Sequence, residues 1–168
     1  ALSRLGMQSL NRQLEKMSQV DGLTGLCNRH FWEEQFVMEY KRDKRNGNPS
    51  SLIMVDIDFL KEVNDMYGHP AGDKIIKTLA SIIKKTTRET DIAGRYGGEE
   101  FAVILPRSHA TDAKQIQQQI NIINFSELGL PSTLRVSVSQ GISCEHSGQY
   151  RTPEALICSA DTALYRAK

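Results

Sequence analysis

No run of about 18 apolar residues occurs in the 168-residue sequence, so it offers no candidate transmembrane helix. Nothing resembling a secretory signal opens it. Cysteine is scarce: Cys27, Cys144 and Cys158 are odd in number, widely spaced and form no CxxC pair. That excludes a disulfide framework and fits free thiols in a reducing cytoplasm. Charge of one sign is missing too. With 21 basic and 20 acidic residues the net charge is +1, which gives no global basis for nucleic-acid or membrane binding. Any anion site must therefore be built locally. Internal repeats and low-complexity tracts are also absent. A domain of this length buries roughly 70% of its unfolded surface, so it needs neither disulfide nor structural metal. The chain opens at Ala1 without an initiator Met and stops at Lys168. It reads as part of a longer protein carrying an upstream sensor domain, with a membrane anchor left open.

What is present begins with a helical stripe. Met7, Leu10, Leu14 and Met17 recur at spacings of three, four and three among polar neighbours. The stripe either packs on its own domain or belongs to a coiled-coil linker between two protomers, so residues 1–20 are set apart from a domain over 21–168. Asn28 caps a helix predicted from Arg29 to Arg45, which stops at Asn46-Gly47. Ser51 to Ile57 reads as a central strand, ending on Asp56-Ile57-Asp58. A short helix over residues 59–65 follows. His69 reads as the cap of a longer helix opened by Pro70 and running to about Thr87. Later elements are a helix over 111–123, a strand over 134–143 and a last helix over 153–168. This order implies an α+β fold, a mixed central sheet flanked by helices.

Arg95-Tyr96-Gly97-Gly98-Glu99-Glu100-Phe101 lies between two short apolar stretches. A Gly-Gly pair there predicts a two-residue hairpin turn with positive φ at both glycines. Bare backbone at Gly97 and Gly98 lets a flat ligand or phosphate come close. If the hairpin lies beside the Ser51–Ile57 strand, then Asp56, Glu99 and Glu100 converge at one sheet edge. Two carboxylates about 4 Å apart repel by roughly 1 to 4 kcal/mol, depending on the effective dielectric. A hard divalent cation resolves that conflict, and oxygen ligands favour Mg²⁺ or Mn²⁺. Such a cluster suits phosphoryl and nucleotidyl transfer, with Lys61 and Lys168 as candidate phosphate partners. Separate, solvated acids and lysines are the plainer alternative. Asn64 and Asp73 can together read a guanine edge, the carboxylate taking the N1 and N2 hydrogens. Taken singly, they are a helix-end residue and a first-turn acid complementing the helix dipole.

Four ordered stretches, DGLTGLCNR (21–29), DIDFLKEVND (56–65) with GHPAGD (68–73), RYGGEEF (95–101) and ADTALYRAK (160–168), resemble the GGDEF family of diguanylate cyclases. The likeness spans nearly the whole chain. It implies the palm-like, ferredoxin-related nucleotidyl cyclase fold and condensation of two GTP into cyclic di-GMP with release of two pyrophosphates. Each protomer of a homodimer would bind one GTP. By the family pattern Asp56, Glu99 and the Ile57 carbonyl hold the metals, with Glu100 assisting them or activating the hydroxyl. Asn64 and Asp73 hold guanine, and Lys61 and Lys168 contact phosphates. Arg88-Glu89-Thr90-Asp91 matches the family's RxxD inhibitory motif, which binds the product; Arg88 and Asp91 would carry that role. An i,i+3 ion pair is the simpler account of the same two residues. The chain departs from the pattern at Leu60, where Phe is common. It also has Gln115, Gln117, Gln118 and Gln119 where many relatives carry arginines, so no intersubunit arginine is implied. Two other readings stand beside the enzyme: a non-catalytic effector that binds cyclic di-GMP through Arg88 and Asp91, and a dimerisation module with a vestigial nucleotide site.

Overall fold

A computed structural model of the chain describes residues 3–123, 125, 128–131 and 136–168, and every side chain among them except those of residues 15–17. The elements run α1 (Arg4–Met17), α2 (Arg29–Asn46), β1 (Ser50–Asp58), α3 (Leu60–Tyr67), α4 (His69–Thr86), β2 (Ile92–Arg95), β3 (Glu100–Pro106), α5 (Ala110–Asn121), β4 (Ser137–Glu145) and α6 (Pro153–Ala167). The strands form one sheet in the order β2-β3-β1-β4. Its ladders are antiparallel throughout, not mixed as the sequence implied. The helical crossover from β1 to β2 does make those two strands parallel, but β3 inserts between them. Cys27 forms an isolated parallel bridge with Gly94 at the β2 edge.

Alternation along the central strands assigns each residue to a layer. Ile53, Val55 and Ile57 of β1 join Phe101, Val103 and Leu105 of β3 beneath α3, α4 and α5. Leu52 and Met54 join Ala102 and Ile104 on the other face, against Trp32, Phe36 and Tyr40 of α2 and Leu156, Ala160 and Leu164 of α6. The same parity puts Asp56 and Glu100 on the α2/α6 face. A polar residue at the end of each apolar run is thereby aimed at the C-terminus of α6. That helix sits very close to the sheet: a Cβ on Gly141 would lie 2.1 Å from the Ala160 carbonyl and 2.3 Å from the Leu164 nitrogen.

Helix boundaries follow local chemistry. The Asn28 side chain accepts from the Phe31 N–H at 2.9 Å, and Gly47 closes α2 in the left-handed region at φ 72°. His69 is not a cap. Gly68, at φ 86°, takes that position, and His69-Pro70 form the first turn of α4. Residues 134 and 135, expected to begin the last strand, lie outside the described residues. Leu5, Met7, Leu10 and Leu14 of α1 are all exposed and do not pack into the domain core, while the Met17 side chain of the stripe lies outside those described. Among the described residues no helix is long and apolar enough to cross a membrane.

Candidate active site

The antiparallel register places Asp56 directly opposite Glu100, and the Ile57 N–H donates to the Glu99 carbonyl at 3.1 Å. The acidic residues thus meet at the end of the two central strands rather than at a sheet edge. The Gly-Gly segment is also wider than a two-residue turn. β2 ends at Arg95 and β3 begins at Glu100, so residues 96–99 form the connection, and neither Gly97 nor Gly98 has positive φ. The Tyr96 and Gly97 N–H groups both donate to the Glu100 carbonyl, at 2.8 and 3.1 Å, which closes the loop without a primed turn.

Arg95 fixes this loop from beneath. Its Nη2 donates to the Gly98 carbonyl at 2.9 Å, and its Nη1 reaches Asp21 at 3.4 Å. Asp21 in turn accepts from the Thr24 N–H at 3.0 Å and the Thr24 hydroxyl at 2.7 Å. Burial pushes the Asp21 carboxyl up, but Thr24 and Arg95 outweigh it and hold the carboxyl below its usual range. The 21–29 stretch also pairs along β2, with the Cys27 N–H on the Ala93 carbonyl and the Arg95 N–H on the Cys27 carbonyl. Its task is to support the loop that carries Glu99.

Asp56 is buried. One of its oxygens, Oδ1, meets no hydrogen-bond partner, and the other accepts from the Lys168 ammonium. Lys168, last in the run Asp161, Leu164, Lys168 on one face of α6, is held above its ordinary value by that bond, with Asp58 and Glu99 adding to the effect. Burial and the nearby Asp56 push the Glu99 carboxyl up, against the pull of Lys168. Burial, Asp56 and Asp161 do the same to Glu100, opposed by Lys168 and Arg29. Asp58 is turned away, accepting from the hydroxyls of Ser137 at 2.7 Å and Ser139 at 2.8 Å.

Glu99, Glu100 and Gly98 border an open cleft of about 640 Å³ that is also lined by Lys61, Asn64, Asp65, His69, Asp73 and Arg95. The structure therefore brings Asn64, Asp73 and Lys61 to the acidic loop, while Gly97 lies within the loop itself. Asn64 Oδ1 is buried without a partner against Gly72, where an added Cβ would fall 1.9 Å from it. A Cβ on Gly98 would meet nothing within 4 Å, so packing of the free protein does not demand a glycine there.

Among the described residues no three acidic, histidine or cysteine side chains close into a metal cage. The donor set nevertheless suits a hard divalent cation. It is all oxygen, it includes an orphaned buried carboxylate oxygen, and it already attracts an ammonium. Arg88 and Asp91 lie elsewhere, on a second cavity of about 450 Å³ that also includes Lys84 and Cys27. There the guanidinium grips Asp91 in a fork, Nε to Oδ2 at 3.2 Å and Nη2 to Oδ1 at 3.0 Å, and Nη2 also reaches the buried Ser108 hydroxyl. The bond to Asp91, with the charges of Asp91 and Asp112, holds the Arg88 guanidinium above its usual value, against the effect of burial.

Sequence reasoning missed Arg95 with Asp21, Gly72 and Ser108. Only α6 carried a usable signal, since the spacing of Asp161, Leu164 and Lys168 by three and four puts them on one helical face.

A family model described as the GGDEF domain of diguanylate cyclases matches residues 18–168. The response regulator PleD of Caulobacter vibrioides is 38% identical over 167 residues, covering 95% of this chain and 36% of PleD. The probable diguanylate cyclase DgcC of Escherichia coli K12 is 37% identical over 161 residues, covering 94% of this chain and 42% of DgcC. The chain thus spans well under half the length of these curated relatives. In structure it resembles the GGDEF domain of Caulobacter crescentus DgcB, solved in complex with c-di-GMP. That match has a TM-score of 0.78 and 31% identity, and covers 89% of each chain. It also resembles the active GGEEF domain of a Vibrio cholerae diguanylate cyclase, with a TM-score of 0.74 and 32% identity over 84% of this chain and 90% of that one.

Proposed function

Because this chain belongs to the GGDEF family of diguanylate cyclases, we propose that it joins two GTP molecules into cyclic di-GMP and releases two pyrophosphates. One observation carries the reading: Asp56 and Glu100 face each other across β1 and β3, beside a cleft bordered by Glu99, Asn64 and Asp73. In that cleft Asp73 accepts the N1 and N2 hydrogens of guanine, and Asn64 offers its carboxamide N–H group. The open space over Gly98 admits the ribose and phosphates, and Lys61 and Lys168 balance the triphosphate charge.

Asp56, Glu99 and the Ile57 carbonyl would hold Mg²⁺ or Mn²⁺. Divalent metal is a general need of this family, and it lowers the pKa of an attacking hydroxyl while steadying departing pyrophosphate. The 3′-oxygen of one nucleotide bonds the α-phosphorus of the other as the bond to pyrophosphate breaks. Glu100, whose carboxyl is pushed up by burial and by Asp56 and Asp161, is placed to take the hydroxyl proton. A cleft of this size suits one nucleotide per chain, so ring closure requires two protomers face to face.

Residues 1–20 would be a linker helix that pairs protomers through the uncovered Leu5, Met7, Leu10 and Leu14, and residues 21–168 the catalytic domain. The greater length of the curated relatives supports an additional sensor domain in the full protein. Product would bind at Arg88 and Asp91 and inhibit; the cavity beside them supports this. Incubating the full-length, dimerised protein with GTP and Mg²⁺ or Mn²⁺ should yield pyrophosphate and cyclic di-GMP, and Glu99→Ala should abolish both. No turnover under those conditions, with product still bound, would turn the reading to a non-catalytic effector.

A further inference from the structure

Lys168 occupies the place of a cation. Its ammonium bonds Asp56 Oδ2 while Oδ1 of the same buried carboxylate stays without a partner. Two features make the arrangement specific. The body of α6 is locked to β4 at Gly141, so the lysine's own flexible stem decides where the charge goes. Asp58, the other aspartate of β1 near that ammonium, is already engaged by Ser137 and Ser139 and cannot take Asp56's place. The lysine side chain is about half exposed, at 44%, so its head can leave without disturbing the core.

We infer that Lys168 is the resident counter-ion of the carboxylate site, yielding Asp56 to a divalent cation and carrying its charge to the nucleotide's phosphates. This rests on the cyclase reading above. Two cations at one buried carboxylate repel strongly, so ammonium and metal exclude each other there. Without nucleotide the lysine spares the site an uncompensated buried charge. When a triphosphate arrives, it gives the displaced ammonium a new partner. Metal and nucleotide therefore assist each other's binding, and the coupling is reciprocal by linkage.

The exchange predicts opposite signs for two affinities of one variant. Mn²⁺ binding to the nucleotide-free chain, followed by electron paramagnetic resonance, should be about fivefold tighter in Lys168→Met than in the wild type. GTP binding to the same variant should be weaker. Amine-directed labelling of Lys168, read by mass spectrometry, should rise when Mn²⁺ is added to the wild type. If Asp56→Asn abolishes Mn²⁺ binding but Lys168→Met leaves it equal or weaker, the exchange is overturned and the cyclase reading stands. Labelling of Lys168 that does not respond to bound Mn²⁺ overturns it equally. Failure of the wild type to bind Mn²⁺ even with GTP present overturns both.

Discussion

Gly72 and Asn64 are in direct contact across the α3–α4 corner: a Cβ on Gly72 would lie 1.9 Å from Asn64 Oδ1 and 2.8 Å from its Cγ. The obstacle is a side-chain terminus rather than backbone, so an alanine at 72 would turn Asn64 rather than unfold the corner. Asn64 lines the cleft with Asp73. Gly72 thus sets the direction of a group proposed to read the base.

Gly72→Ala is therefore expected to lower stability by about 1–3 kcal/mol through overpacking, and to weaken GTP binding about tenfold while leaving ATP binding little changed. A double-mutant cycle checks the cause. In an Asn64→Ala background the stability loss from Gly72→Ala should largely disappear, because the colliding atoms are gone. Additive losses would mean that Gly72 acts elsewhere.

The acidic loop gives a pH signature. Burial and Asp56 raise Glu99 above the ordinary 4.5, so near that pH the folded chain holds a proton the unfolded chain has released. Stability contributed by this group is present at low pH and is lost as pH rises through the raised value. Glu99→Gln removes the repelling charge. It should melt about 2 °C higher than the wild type at neutral pH, and the gap should close as pH falls below 4.5. A gap independent of pH would assign the effect to packing instead.

Much of this was legible in the sequence because it is local. An apolar run ending in Asp56 has to place that carboxylate at a strand end, and the Asn28 cap and the Gly47 stop are set within a few residues. The four ordered stretches implied the family and the cleft residues. The rest depends on contacts far apart in sequence. Arg95 reaches Asp21 across 74 positions, and Arg88 reaches Ser108 across 20. Spacing carries no trace of either. The Gly-Gly pair misled about conformation for a related reason. Its glycines are compatible with a tight primed turn, but β2 ends at Arg95 and β3 begins at Glu100, which leaves four residues to span, and these close on the Glu100 carbonyl without positive φ. The antiparallel sheet likewise follows from β3 inserting between β1 and β2, which element order alone leaves open.

Ser108 orients Arg88 from a fully buried position, with its own hydroxyl donating to the Pro106 carbonyl at 2.9 Å. Asp91 holds the other donors of the fork. Ser108→Ala should leave turnover in the absence of product unchanged and raise the product concentration needed for half-inhibition about fivefold, the worth of one hydrogen bond. Arg88→Ala should relieve inhibition further but also destabilise the fold by about 1–3 kcal/mol, because it leaves the buried Asp91 with the backbone N–H of residue 88 but without the guanidinium. Initial-rate assays with added cyclic di-GMP, paired with thermal melts, separate the two. Unaltered inhibition in both variants would remove Arg88 and Asp91 from product binding.

Gly141 ties the site to the fold. A methyl group there would strike the backbone of α6 at Ala160 and Leu164, atoms that cannot rotate away. Gly141→Ala must therefore push the helix off β4, opening the layer where Leu52, Met54 and Ala102 meet Leu156, Ala160 and Leu164. The expected loss is about 3 kcal/mol, which lowers the melting temperature by about 6–12 °C in a chain of this size. The displaced helix also carries Lys168 away from Asp56, so the variant should bind GTP less tightly even at temperatures where it remains folded. Wild-type GTP affinity in a folded Gly141→Ala protein would show that the placement of α6 and the charge of the nucleotide site are independent.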